Sequence, residues 1–210
     1  MAPPSAKSPT RTDRRREQTR ARLLEAARDL FAEQGVGATR LGEITERADV
    51  AAGSFYNHFA DKDEIVDAVM ADVTEEQGKV VDEMTADLDD PAEVVAFAHR
   101  HFVRLAQSDP HFGQLMVRLD ASHRLMTTAL GPRALRDVRR GLDAGRFDFP
   151  SAEVAVSITG GALLGAMRGV ADGGLGDDAD EVHAAAILRM LGLPPAEAAE
   201  VAGRAIPVAV

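Results

Sequence analysis

The segment Thr39–Ile65, TRLGEITERADVAAGSFYNHFADKDEI, constrains this chain more tightly than any other. Leu41, Ile44 and Ala48 recur at spacings of three and four, one buried face of a short helix. After a tight connection, a second helical unit runs from about Ala52 to His58. At about 1.5 Å per residue it is roughly 10 Å long, a size that enters a major groove about 12 Å wide. The pattern predicts a helix-turn-helix that reads DNA. Phe55 and Phe59 lie four apart and are expected to face inward with Ile44 and Val50. Gly53 costs about 1 kcal/mol of helix propensity against Ala, but it lets a phosphate approach the backbone closely. Ser54, Tyr56, Asn57 and His58 supply hydroxyl, amide and imidazole groups suited to phosphates and base edges.

The rest of the chain reads as helix. Internal prolines include Pro91, Pro110, Pro132, Pro150 and Pro194, and proline favours helix ends over interiors. No stretch alternates in the manner of a strand, so the expected fold is all-α with about nine helices. These run over Arg16–Gln34 (ended by Gly35), Leu41–Ala48, Ala52–His58, Lys62 to about Leu88, Pro91–Gln107, Pro110–Ser122, about His123–Asp143, Pro150–Ala171 and Asp178–Leu191. The first carries Leu23, Leu24, Ala27, Leu30 and Phe31 on one stripe, enough to complete a three-helix core with the helix-turn-helix. The expected division is a disordered basic arm over residues 1–15, a DNA-binding domain over 16–61, a ligand-binding and dimerisation domain over 62–193, and a tail over 194–210.

Charge follows that division. Up to Arg22 there are seven basic residues (Lys7, Arg11, Arg14, Arg15, Arg16, Arg20, Arg22) against Asp13 and Glu17. Residues beyond Ile65 carry the whole net charge of -10, so the basic patch sits with the proposed DNA reader and sets the local field there. The chain has no cysteine, which excludes disulfides and thiolate metal sites. It opens on MAPPSAKSPT without the apolar run of a secretory signal, and a cytoplasmic location is expected. There is no Gly-rich phosphate loop, nucleophile elbow or paired-histidine metal motif, so neither an enzyme, a cofactor nor a metal is expected.

The order Ile44, Ala48, Val50, Gly53, Phe55-Tyr56, Phe59, Lys62 resembles the N-terminal domain of the TetR family of repressors. That resemblance is detailed from about Arg16 to Met70. It implies a homodimer whose N-terminal domains bind a palindromic double-stranded operator and whose C-terminal domains bind a small-molecule effector. It points to Tyr56 and His58 as holders of the DNA backbone and to Lys62 as a phosphate ligand, beside the helix-start role of Asp61 and Glu64. Thr39 and Arg40 stand where the family places contacts at the start of its first reading helix. Three positions depart from the family: Asp49 replaces a common Gly, and Ala51 and Ala52 replace polar residues. The two alanines offer apolar contact, for example to a thymine methyl, but donate no hydrogen bond. They keep open a second reading, a helical protein-interaction module with weakened DNA binding.

Two further surfaces are expected. Gly161, Gly165 and Gly169 repeat every four residues, a loss of about 1 kcal/mol each that is sensible where helices approach closely. With Leu164 and Arg168 they form a candidate dimer interface, against intramolecular packing as the alternative. The uncharged run there is shorter than the roughly 20 residues that span a bilayer, so no membrane is expected. An effector pocket is expected around Phe97, His101, Phe102, Leu105, Met116, Leu119, His123 and Met126, residues that equally suit an ordinary core.

Overall fold

The computed structural model describes residues 10–109, 111–113 and 130–205. Every regular element among them is helical. The chain divides into two compact units, Met1–Val69 and Met70–Val210, and the division falls inside one continuous helix.

In the first unit, α1 spans Arg11–Ala38 and begins five residues before the expected Arg16. Its start is a reciprocal cap. The Thr10 hydroxyl accepts from the Asp13 amide at 3.2 Å, and the Asp13 carboxylate accepts from the Thr10 amide at 2.9 Å. Arg11 to Arg15, expected as a disordered arm, are therefore helical. The expected stop at Gly35 is where the helix breaks, with φ at 78°. α2 (Leu41–Arg47) and α3 (Ala52–Phe55) follow. α3 is only four residues long, and the chain continues to His58 through 3₁₀-type bonds, Asn57 amide to Ser54 carbonyl and His58 amide to Phe55 carbonyl. Leu23, Ala27, Ile44, Phe55, Phe59 and Ile65 are buried together in the core of this unit, whereas Leu24 and Val50 are half-buried. α4 (Lys62–Met84) starts on the Asp61 carboxylate, which accepts from the Glu64 amide at 2.9 Å; Glu64 reaches back to the Ala60 amide.

The second unit is arranged about α5 (Pro91–Ser108), capped by Asp90 through the Ala92 amide. Around it pack α6 (Leu130–Asp143), α7 (Ala152–Ala171), α8 (Ala179–Met190) and α9 (Pro195–Ala202). α9 lies in what the sequence suggested was a tail. Its Ala198, Val201 and Ala202 are buried in the same core as Ala184, Leu188 and Leu191, which is why the segment folds. Arg100 is buried on α5 and is satisfied by Asp180 at 2.9 Å, Glu181 at 2.9 Å and the Arg204 carbonyl at 2.6 Å. Charge pairing thereby ties α5 to α8 and to the end of α9. The helix expected over Pro110–Ser122, and the first part of the one expected from His123, lie largely outside the described residues.

Candidate nucleic-acid interface and effector cavity

The turn between α2 and α3 is set by Asp49, a non-glycine residue at positive φ, 51°. Its carbonyl accepts from Arg22 at 2.8 Å, which holds the turn against α1. The left-handed conformation explains why glycine is common at this position. Beyond it, Phe55 and Phe59 anchor the reading unit from below, their rings 5.6 Å apart. Ala51, Ala52, Gly53, Tyr56 and Asn57 are exposed, and Ser54 and His58 are half-buried. A methyl group built on Gly53 meets nothing within 4 Å, so no neighbour in the chain demands a glycine there. The open space is what a closely approaching phosphate needs. Tyr56 is 64% exposed, an unusual position for a large aromatic that packs against Phe55 only edge-on.

α1 brings cations to the same surface. Arg16 donates to the Asn57 carbonyl at 3.2 Å, and the Arg20 guanidinium lies 5.1 Å from the centroid of the Phe59 ring. Partial burial, then Arg16 and Arg20, holds the His58 imidazole below its ordinary pKa, as expected of a group placed in a positive field. Arg16 and Arg20 were legible only as members of a basic run; their spacing of four, facing one helical side, was the signal for their role.

Two expected DNA ligands sit differently. Thr39 is buried, 2% exposed, and its hydroxyl donates to the Gly35 carbonyl at 2.8 Å. It satisfies a carbonyl at the broken end of α1, so the expectation of an exposed contact is corrected to an internal one. Lys62 donates to the carbonyls of Val36 at 2.6 Å and Thr39 at 2.5 Å. Two of the three ammonium donors thus close the connection between α1 and α2. Arg40 is exposed, with its amide held by Glu43 at 2.7 Å.

The second unit contains a partly open cavity between α4, α5, α6 and α7. One wall is apolar, with Val81, Phe102, Leu130, Val156 and Leu163. The other is charged. Arg133 donates to both carboxylate oxygens of Glu75 (2.9 and 3.0 Å) and to Asp82 at 2.8 Å, and Arg136 joins Asp82 at 2.8 Å to Asp137 at 2.8 Å. These carboxylates raise the arginine pKa values further above their already high ordinary value, and the arginines pull Glu75 and Asp82 down. With Lys79 beside Glu75 at 3.7 Å, three cations meet three carboxylates in this network, of which Asp82, Arg133 and Asp137 line the cavity. His99 on α5 completes it and is hydrogen-bonded to His183 of α8 at 3.0 Å.

Of the expected effector residues, Phe102 lines this cavity. Phe97 faces instead a small cleft beside Val201 and Arg204, and His101 stacks on it while bonding to Gln77 at 2.9 Å. Leu105 is half-buried and lines neither. The face of α5 turned to this cavity is that of Ala98, His99 and Phe102, with Phe102 three and four residues from the other two, so Phe97, His101 and Leu105 lie off it. Met116, Leu119, His123 and Met126 lie outside the described residues.

On α7, Val154 (50% exposed), Ile158 (48%), Gly161, Gly165 and Arg168 form an exposed stripe, and methyl groups built on Gly161 and Gly165 meet nothing within 4 Å. Gly169 behaves otherwise: a methyl group there would fall 2.6 Å from the Leu175 side chain, so it serves packing within the chain. Leu164 is half-buried. Val182 on α8 adds another exposed apolar residue. α7 is long and apolar enough to cross a membrane by composition, with a mean hydropathy of 1.5. It nevertheless opens on a Ser151 cap and places Ala155, Leu163 and Met167 in the protein interior.

An exposed reading turn over a three-helix core, followed by a helical unit with its own cavity, defines a helix-turn-helix DNA-binding regulator. Residues 23–69 match the bacterial regulatory proteins of the tetR family, and residues 90–204 match the tetracyclin repressor-like C-terminal domain. The chain belongs to the TetR family. It resembles the crystal structure of RolR in complex with resorcinol, with a TM-score of 0.86, 42% identity, and coverage of 93% of this chain and 98% of that one. RolR without ligand gives a TM-score of 0.82 and 40% identity, covering 90% and 98%. The transcriptional repressor Rv3405c of Mycobacterium tuberculosis is 45% identical over 64 residues, 28% of this chain and 34% of that protein. The regulator TtgR of Pseudomonas putida is 42% identical over 60 residues, 29% of each. The chain thus spans about a third of the length of these two relatives.

Proposed function

We propose that this chain is a cytoplasmic transcriptional repressor that binds a palindromic operator as a homodimer and is released by a small effector. The observation that carries the reading is the surface from Ala51 to His58: open at Gly53, aromatic at Tyr56, and flanked by Arg16 and Arg20. Ala51, Ala52 and Gly53 meet base edges or come close to phosphate, while Ser54, Tyr56, Asn57 and His58, with Arg40 and the remaining donor of Lys62, hold the backbone. The half-sites lie about 34 to 36 Å apart, one helical turn of DNA. The α7 stripe of Val154, Ile158, Gly161, Gly165 and Arg168 supplies the contact between subunits, with Val182 of α8 beside it.

The effector occupies the cavity lined by Asp82, His99, Phe102, Arg133 and Asp137. Its apolar wall suits a small aromatic ring. Its polar wall suits hydroxyl groups over a carboxylate, because Arg133 already has carboxylate partners and Asp82 and Asp137 carry the charge an anion would meet. A neutral hydroxylated aromatic is therefore the effector class, and the resemblance to a resorcinol-bound regulator supports the same choice. Glu75 and Asp82 lie on α4, which begins at Lys62 in the reading unit. A ligand that competes for Asp82 or Arg133 shifts α4, and the coupling to DNA is typically about 1 to 3 kcal/mol.

The test is selection of bound duplexes from a random library by the full-length protein, followed by affinity across salt concentration. Enrichment of a palindrome whose affinity falls steeply with salt and falls further on adding resorcinol is the expected result. Absence of any enriched site overturns the DNA reading; an enriched site indifferent to resorcinol overturns the effector class alone.

A further inference from the structure

His99 and His183 are 84 residues apart in sequence and meet side by side, with His99 Nδ1 3.0 Å from His183 Nε2 and ring centroids 5.1 Å apart. A nitrogen–nitrogen hydrogen bond holds one hydrogen, so one ring donates and the other accepts. If His99 donates through Nδ1, its Nε2 is left as a lone pair, an acceptor. If His183 donates through Nε2, His99 carries its own hydrogen on Nε2 and becomes a donor. Among the described residues no buried side-chain nitrogen or oxygen lacks a partner, and among them the His99 ring bonds through Nδ1, so Nε2 is left to the open cavity the residue lines.

We propose that the His99–His183 pair is the effector cavity's hydroxyl reader: His99 Nε2 bonds the ligand hydroxyl, and His183 is the positioning residue that sets whether this nitrogen donates or accepts. This rests on reading the cavity as the effector site. The pair adds something the arginine wall cannot. Arg133 only donates, and the lining carboxylates Asp82 and Asp137 only accept, so each has one polarity in place. The imidazole pair has two, exchanged by moving one hydrogen along the bridge and one between the outer nitrogens. A ring with two hydroxyl groups can give its hydrogen to His99 or take one from it without either imidazole gaining charge. Burial supports this by keeping both rings neutral at working pH, with His99 pushed down to about 3 and His183 to about 4. An anionic ligand gains no imidazolium partner here, which reinforces selection of neutral hydroxyl compounds.

The experiment combines calorimetry with resorcinol and nitrogen NMR on full-length protein carrying ¹⁵N-histidine. In the free wild type at pH 7, the NMR is expected to show both rings neutral, with a coupling across the nitrogen–nitrogen bond. On adding resorcinol, the ring nitrogens of His183 are expected to shift although His183 does not line the cavity. His99→Phe, which keeps the ring but removes its nitrogens, lowers resorcinol affinity about tenfold, the loss of one hydrogen bond. His183→Phe lowers it several-fold, and His183→Gln, which replaces Nε2 with an amide, restores most of the loss. An imidazolium signal from either ring, or unchanged affinity in His99→Phe while the wild type binds, overturns the pair and leaves the effector class standing. A silent His183 on ligand addition, with equal affinities in His183→Phe and His183→Gln, overturns its positioning role. A wild type that binds no resorcinol overturns the effector class and the reader with it.

Discussion

Acidification from pH 7 to pH 5 tests the part-buried imidazole pair above the range in which the arginine-paired carboxylates titrate. His99 and His183 are held to about 3 and about 4 by burial, with His183 itself adding to the depression at His99. In the unfolded chain both regain a pKa near 6.5. Between those values the unfolded chain binds more protons than the folded one, so stability falls as pH falls. By pH 5 each unfolded histidine is almost fully protonated while its folded counterpart is neutral, a loss of about 2 kcal/mol each and about 4 kcal/mol for the pair. The arginine-paired carboxylates Glu75, Asp82, Asp90 and Asp180 are also shifted, downward, and their contribution is lost only as pH falls through the lower carboxylate range. His58 and His101 are shifted the same way as the pair but are shared by any variant made elsewhere. The comparison is therefore wild type against the double variant His99→Gln, His183→Gln, in urea at fixed protein concentration, because the proposed dimer would make stability concentration-dependent. Far-UV circular dichroism is the readout. Intrinsic fluorescence is blind to this region, since the chain has no tryptophan and its single tyrosine, Tyr56, lies in the first unit. The double variant should lose about 4 kcal/mol less than wild type across this range; parallel losses would refute the claim that the pair is neutral and buried.

Three other perturbations follow from the geometry. Lys62→Met removes the donor to the Val36 and Thr39 carbonyls and should destabilise the first unit by about 1 to 2 kcal/mol, seen in Tyr56 fluorescence. If the third donor also meets a phosphate, the slope of log affinity against log salt should fall by about 0.9 per subunit; an unchanged slope would assign Lys62 to structure alone. Asp49→Gly relieves the positive φ of 51° while keeping the carbonyl that Arg22 needs, and should raise first-unit stability by up to about 1 kcal/mol; a loss would mean the Asp49 carboxylate contributes more than its 4.0 Å approach to Arg22 suggests. Ile158→Asp, in the exposed α7 stripe, should convert the proposed dimer to monomer in sedimentation equilibrium and abolish the proposed palindrome binding, and a persisting dimer would place the interface elsewhere.

What was legible in the sequence was what local periodicity encodes. The spacing of Ile44, Ala48, Phe55 and Phe59 identified the core of the reading unit because each residue's burial follows from its helical phase. Gly35 marked the end of α1 because only its backbone readily takes φ of 78°. Errors at the element ends had local causes as well. Thr10 and Asp13 carried a capping signal three residues apart, masked by the surrounding arginines, and Pro195 opened α9 at a position that proline favours. Thr39 was misassigned because a hydroxyl at a helix end serves DNA or a neighbouring carbonyl equally well, and only the tertiary contact with Gly35 decides.

The proposed effector cavity was largely illegible for a different reason. Asp82, Arg133, Arg136 and Asp137 each read as part of a solvated helix face, and nothing in the spacing of α4 against α6 couples residues 51 to 54 positions apart. Their pairing depends on two helices meeting, and the meeting is set by apolar residues such as Val81 and Leu130 that carry no information about ligand. Apolar residues and methionines of α5 and beyond suit a cavity by composition, yet Phe97 turns to another cleft and His101 to Gln77. The helical step from His101 back to His99 changes the face by about 200°, which moves an imidazole from one side of α5 to the cavity side. In a helical protein, the identity of a cavity residue is therefore a question of phase before it is one of chemistry. The polar groups that select the ligand are recognised only once that phase and the partner helix are both known.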